Sequence, residues 1–124
     1  MCYMTDFIVN GTGIQKSGGE ISAEVRVPSD AVWFDGHFPG MPVLPGIAQL
    51  ALVVEILGQA LGKPVSVSSF SRVRFKQAIM PSEPVGITIT PNESDAASCT
   101  FRLVKNGELA CSGFFKMANF ETKR

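Results

Sequence analysis

The sequence predicts an α+β domain in which an antiparallel sheet is wrapped around one long central helix. Three observations lead there. Residues 47–61 read as a helix that is apolar on nearly every side. The segments that follow alternate apolar and polar residues with the period of a strand. Asn106-Gly107 lies between two such segments, and this dipeptide is the strongest short signal for an antiparallel hairpin.

Residues 6–10 are a candidate short strand, in a stretch punctuated by Gly11, Gly13, Gly18 and Gly19. Residues 20–27 alternate, with Ile21, Ala23, Val25 and Val27 on one side, as a half-buried strand requires. Residues 28–45 carry prolines at 28, 39, 42 and 45 and glycines at 36 and 40, so they read as loop, with one helical turn expected over 30–34. Pro45-Gly46 then opens the helix, and Gly62 and Pro64 end it. Only Gln49, Glu55 and Gln59 are strongly polar in it. A helix apolar all round is buried all round, so the rest of the chain must enclose it.

Residues 65–79 form a long alternating run, 81–84 a turn, and 85–90 a further strand. Residues 99–104 and 109–117 flank the Asn-Gly turn. Strict alternation across that turn pairs Lys105 with Glu108, Leu103 with Ala110 and Cys99 with Phe114. It sets Cys111 opposite Arg102, on the other face from Cys99, so these two thiols are not expected to bridge.

A chain of 124 residues is one domain's worth, and 1–124 is read as a single domain. Eleven Lys+Arg balance eleven Asp+Glu, which argues against a nucleic-acid binder, and 45% hydrophobic residues argue against disorder. Only 18% of residues are charged, a composition that protects poorly against association and favours a homodimer or higher homo-oligomer. Three cysteines without tight spacing do not make a secreted disulfide framework. The first lysine is Lys16, so no signal peptide is expected. Residues 47–61, interrupted by Glu55, are too short and broken to span a membrane. The expected location is cytoplasmic.

One histidine and no clustered cysteines argue against an ordinary zinc site. Gly11-Thr12-Gly13 fails the dinucleotide fingerprint, and neither a G-x-S-x-G elbow nor a phosphate loop is present. No metal or cofactor is implied. Arg72, Arg74 and Lys76 alternate and would share one face of a strand, either as a solvated face or as a small basic landing strip for an acidic partner or a phosphate.

The chemistry is concentrated in Phe34-Asp35-Gly36-His37-Phe38-Pro39-Gly40-Met41-Pro42-Val43-Leu44-Pro45-Gly46. His37, the sole histidine, sits in a Gly/Pro-locked loop that feeds a helix. The helix start at Gly46 offers unpaired N–H groups and the positive end of a dipole. An imidazole beside such a start suits proton abstraction next to a carbonyl.

This segment resembles the signature of the FabA/FabZ group of 3-hydroxyacyl-[acyl-carrier-protein] dehydratases, which have the hotdog fold. The likeness is dense over 34–54. A weaker echo is Val73-Arg74-Phe75-Lys76-Gln77-Ala78-Ile79-Met80-Pro81-Ser82, and the Asn-Gly hairpin fits the family's last two strands. The resemblance implies that His37 is the catalytic histidine that removes the α-proton. It implies that the Gly46 N–H holds the thioester carbonyl. The family's acid, which helps the β-hydroxyl leave as water, lies fourteen residues after the histidine, where this chain has Ala51. Glu55 falls where the family often has Gln. Phe38, Val43, Leu44 and Ala51 are expected to line an acyl tunnel at a dimer interface, and Arg72, Arg74 and Lys76 to face a carrier.

Three activities are compatible with this pattern. In one, the chain is dehydratase-like on 3-hydroxyacyl thioesters of acyl-carrier protein or coenzyme A, with Glu55 or a water in place of the acid. In another, His37 and Gly46 serve thioester hydrolysis. Or the site binds an acyl chain or carrier and catalyses nothing.

Overall fold

The computed structural model describes residues 8–9, 13–28, 44–95 and 97–118. Its elements are β1 (Ile8–Val9), β2 (Gln15–Ser17), β3 (Glu20–Arg26), α1 (Gly46–Leu61), β4 (Ser66–Phe75), β5 (Val85–Pro91), β6 (Ser98–Lys105) and β7 (Glu108–Ala118). All strands pair antiparallel in one sheet of order β1-β3-β5-β6-β7-β4, with β2 also pairing β3. β4 is therefore an edge strand. The expected helical turn over 30–34 and most of the expected strand at 6–10 lie outside the described residues.

The core lies between the inner face of the sheet and one face of α1. Ile21, Ala23 and Val25 of β3, Val85, Ile87 and Ile89 of β5, and Cys99, Phe101 and Leu103 of β6 point inward. They meet Ala48, Leu52, Val53, Ile56 and Leu57 of the helix. Each large aliphatic side chain so buried contributes about 1.5–3 kcal/mol relative to exposure.

The helix is not buried all round within one chain. The sheet covers one stripe, whereas Leu50, Ala51, Val54 and Glu55 are half-buried and Ile47 is 72% exposed. Among the described residues this side is partly sheltered, and Ile47 is its most exposed apolar side chain.

The helix ends differ. Gly62 closes the C-terminus in the left-handed region (φ 74), and Lys63 N–H donates back to Gly58 O at 3.1 Å. Lys16 Nζ donates to Ala60 O at 3.1 Å, placing a cation at the negative end of the dipole. The N-terminus follows Pro45, with no side-chain cap and no acidic residue in the first turn.

The hairpin register departs from strict alternation. Lys105 pairs with Glu108, but Val104 pairs with Leu109 and Leu103 with Cys111, which leaves Ala110 as an extra, bulged residue. Cys99 consequently faces Phe115 rather than Phe114, and Cys111 faces Leu103 rather than Arg102. Both thiols are buried on the same, inner side of the sheet, not on opposite faces. They stay apart because four residues separate Cys99 from Leu103, about 13 Å along a strand. Burial pushes both thiols up to about 11, with Asp95 adding to the shift at Cys99.

β4 is irregular for the same reason, with register shifts between Val67 and Ser69 and between Ser71 and Arg74. Its sheltered residues are Val67, Phe70 and Val73, three apart rather than two. Arg72 lies at the second shift with φ 53. It thereby leaves the period-two series that grouped it with Arg74 and Lys76, although all three are exposed.

Candidate active site

Of the residues singled out in the sequence, His37, Phe38 and Val43 lie outside the described residues. Leu44, Gly46, Ala51 and Glu55 are described, and they sit at the start of α1 and along its half-buried side.

Leu44 is fixed on both its polar groups. Its N–H donates to Ile79 O at 2.8 Å, and its carbonyl accepts from Gln49 Nε2 at 3.2 Å. Its side chain is 1% exposed. Pro45 O then accepts from Ala48 N and Gln49 N at 3.0 and 3.1 Å, which starts the helix. Gln49 was not anticipated as a structural residue. The available signal was a lone amide on the buried face of a greasy helix, which must be paired. Its Oε1 is buried without a partner, and nothing in the structure explains it.

Gly46 opens α1, where the first N–H groups have no acceptor within the helix. A Cβ at Gly46 would lie 2.8 Å from the Phe75 ring, so the ring covers the glycine's Cα face. Phe75, half-exposed at the end of β4, is the second residue that sequence reasoning missed as part of this region. With Ile47 it makes the helix start apolar but open.

Residues 76–84 form a strap that holds this arrangement. Lys76 N and Gln77 N both donate to the carbonyl of the bulged Ala110, at 2.7 and 3.2 Å. Lys105 Nζ donates to Ala78 O and pairs with Glu83 Oε1 at 3.0 Å. The same oxygen accepts from Met80 N at 2.7 Å. Ile79, within the strap, supplies the carbonyl that holds Leu44.

Partial burial pushes the Glu83 carboxyl up, but the Met80 N–H and the Lys105 ammonium outweigh it and hold it below its ordinary 4.5. A carboxyl lowered by folding stabilises the native state above its unfolded value. That stabilisation is lost as pH falls through the folded value. Glu83→Gln should therefore be less stable than the native chain at pH 7, and the gap should shrink as the pH falls below 4.5. Denaturant unfolding across this pH range checks this, and a gap independent of pH would contradict it.

Ala51 and Glu55 are one turn apart, with Cβ atoms about 6 Å apart, on the stripe of the exposed Ile47. Glu55 makes no hydrogen bond or ion pair among the described residues. Arg74 and Lys76 flank Phe75 in the chain and are exposed. Among the described residues no three His, Cys, Asp or Glu come together as metal ligands, and no helix is long and apolar enough to cross a membrane.

Comparison with known proteins matches residues 13–114 to the ApeI-like family, described as ApeI dehydratase. The chain is 31% identical over 114 residues to the 3-hydroxyacyl-[acyl-carrier-protein] dehydratase FabZ of Streptococcus pyogenes serotype M5, covering 85% of this chain and 82% of the relative. It is 30% identical over 109 residues to FabZ of Oenococcus oeni, covering 77% and 76%. Among solved structures it is similar to the dehydratase heterocomplex ApeI:P from Xenorhabdus doucetiae, at 26% identity and TM-score 0.77, covering 90% of this chain and 97% of that one. Mouse thioesterase superfamily member 2 shares the fold at 16% identity and TM-score 0.65, covering 92% and 83%.

Proposed function

Since the chain belongs to the ApeI-like branch of the FabA/FabZ-like hotdog dehydratases, we propose that it acts on 3-hydroxyacyl thioesters, with His37 as the base and the Gly46 N–H as the anchor of the thioester carbonyl. The observation that carries this reading is the helix start: an uncapped N-terminus at Gly46, fastened through Leu44 and floored by Phe75. A carbonyl oxygen held there gains hydrogen bonding and the dipole as negative charge develops on it. His37 then needs only to remove the α-proton. Loss of the β-hydroxyl requires an acid, and Ala51 supplies none. Among the described residues Glu55, one turn further on, or else a water, is the donor proposed.

A second reading gives the acid to a partner. The similar ApeI:P structure is a heterocomplex. In this chain the far side of α1 exposes Ile47 and leaves Ala51 and Val54 half-buried, and among the described residues β4 pairs along one side only. Pairing at β4 with a second hotdog chain would cover both, as a homodimer or with a different subunit carrying a carboxylate.

The deciding experiment incubates the chain with short and medium 3-hydroxyacyl thioesters of acyl-carrier protein and coenzyme A, while light scattering records its assembly. Enoyl product is expected. Free thiol would instead indicate hydrolysis, and neither product would indicate a binding role. Arg74 and Lys76 are proposed to attract the acidic surface of a carrier. Reversing both charges should slow turnover of carrier-linked substrate at low salt and leave N-acetylcysteamine thioesters, which carry no phosphate, unaffected. Equal effects on both would contradict the role.

A further inference from the structure

Opposite the helix, the outer face of the sheet carries a shallow, open depression of about 390 Å³ whose lining includes Ser69, Ser71, Arg72, Ser98, Phe114 and Lys116. Strand alternation explains its chemistry. Cys99, Phe101, Cys111 and Phe115 point into the core, so Ser98, Thr100, Ser112, Phe114 and Lys116 point outward. The register aligns Ser69, Lys116 and Ser98 in one row across three strands, and Ser71, Phe114 and Thr100 in the next. A third row is Arg74, Ser112 and Arg102. This half of the face is cationic, hydroxyl-rich, and centred on a large ring that is 45% exposed.

Two further features mark it. Arg72 is a non-glycine residue at φ 53, a backbone conformation that costs about 1–3 kcal/mol and tends to persist where function requires it. Among the described residues the side chains of Arg72, Ser69 and Ser71 have no hydrogen-bond or ion-pair partner. Lys116 is held only by Asp95 at 3.7 Å, and that carboxylate also accepts from Ala97 N and Ser98 Oγ at the rim. Arg74 and Arg102 nearby add to the positive balance. A second copy of the same face would meet it with like charge, so an anion is the complementary occupant.

We infer that this hollow binds a phosphate ester of the nucleotide class, with the phosphate between Arg72 and Lys116, the hydroxyl groups against Ser69, Ser71 and Ser98, and the base on the Phe114 ring. Arginine and lysine recognise phosphate by charge-assisted hydrogen bonds. An aromatic face stacks any base. The site is separate from the helix start, because the sheet lies between them, and it does not depend on the activity proposed above. Pairing at the β4 edge would leave this outer face open.

The test is an NMR titration of the ¹⁵N-labelled protein at low salt with AMP and, separately, with inorganic phosphate. Saturable shifts confined to residues 69–72, 98 and 112–116 are expected with both. Lys116→Ala and Arg72→Gly should each weaken AMP at least tenfold. Glycine suits the positive φ at position 72, so Arg72→Gly should fold at least as well as the native chain, and its loss of binding would not come from unfolding. Phe114→Ala should weaken AMP and leave inorganic phosphate unchanged. The inference is overturned by no saturable shift with AMP, by AMP binding indifferent to Arg72→Gly and Lys116→Ala, by equal effects of Phe114→Ala on both probes, or by shifts that appear only with an acidic carrier protein.

Discussion

Ala51→Glu is expected to raise enoyl formation from 3-hydroxyacyl thioesters by about 10²-fold or more. A positioned acid typically contributes about 10² to 10⁴, and the resemblance implies one at position 51, where this chain has alanine. The scaffold should tolerate the change. Position 51 is half-buried on the stripe of the exposed Ile47, so a carboxylate there need not enter the core. His37→Ala in the same background should remove both the gain and the basal rate, because the α-proton then has no base. Both effects are read as kcat/KM for enoyl product with light scattering to confirm assembly. A folded Ala51→Glu protein with no gain would mean that the acid is not what limits turnover. Full turnover in His37→Ala would mean that the base lies elsewhere.

Gly113→Ala is expected to destabilise the chain by about 1–3 kcal/mol, the usual range for overpacking a filled core. An added methyl would lie 3.0 Å from two atoms of the Phe101 ring and 3.1 Å from Val73 Cα. The ring cannot swing aside. It packs edge-on to Phe70 (centroids 6.1 Å, planes at 89°) and tilted against Phe115 at 6.2 Å. Val73 Cα is backbone and cannot rotate away either. Phe101→Leu should be destabilising alone, yet Gly113→Ala should cost less in that background, because the ring is then gone. Denaturant unfolding of the four proteins checks this, and strict additivity would show that the ring is not the obstacle.

The sequence is most legible where a local rule has no rival. Pro45-Gly46 and Gly62-Pro64 bracket α1 within one residue, since proline presets the first turn and glycine accepts the left-handed close. Asn106 and Gly107 both take positive φ, as a tight hairpin demands. Gly18-Gly19 has the same character and closes the β2–β3 hairpin, a signal available in the sequence and not used. Bulges are where strict alternation fails. One extra residue at Ala110 shifts everything beyond it, and the adjacent Phe114 and Phe115 suit either register. The same applies to Arg72, whose φ nothing in its side chain announces. An all-apolar helix shows how much surface must be covered and not which position stays open, and among the described residues Ile47 is the most exposed apolar one. At the proposed site, the start of α1 at Gly46 is legible from Pro45-Gly46, whereas the contacts that Phe75 and Gln49 make there are tertiary and no spacing reveals them.

The unequal ends of α1 carry a trade-off between robustness and use. At one end Gly62 and Lys16 satisfy the chain and offset the dipole. At the other, a serine or aspartate in place of Pro45, or an acid in the first turn, would strengthen the helix by about 0.5–2 kcal/mol or 0.3–1 kcal/mol respectively. Either change would spend the helix's positive end on the protein's own side chain. An internal carboxylate at that position competes with any oxyanion formed on a thioester, as a permanently bound inhibitor would. A stabilised variant made this way should therefore melt later and work worse, an instance of stability gained where activity needs an unsatisfied site.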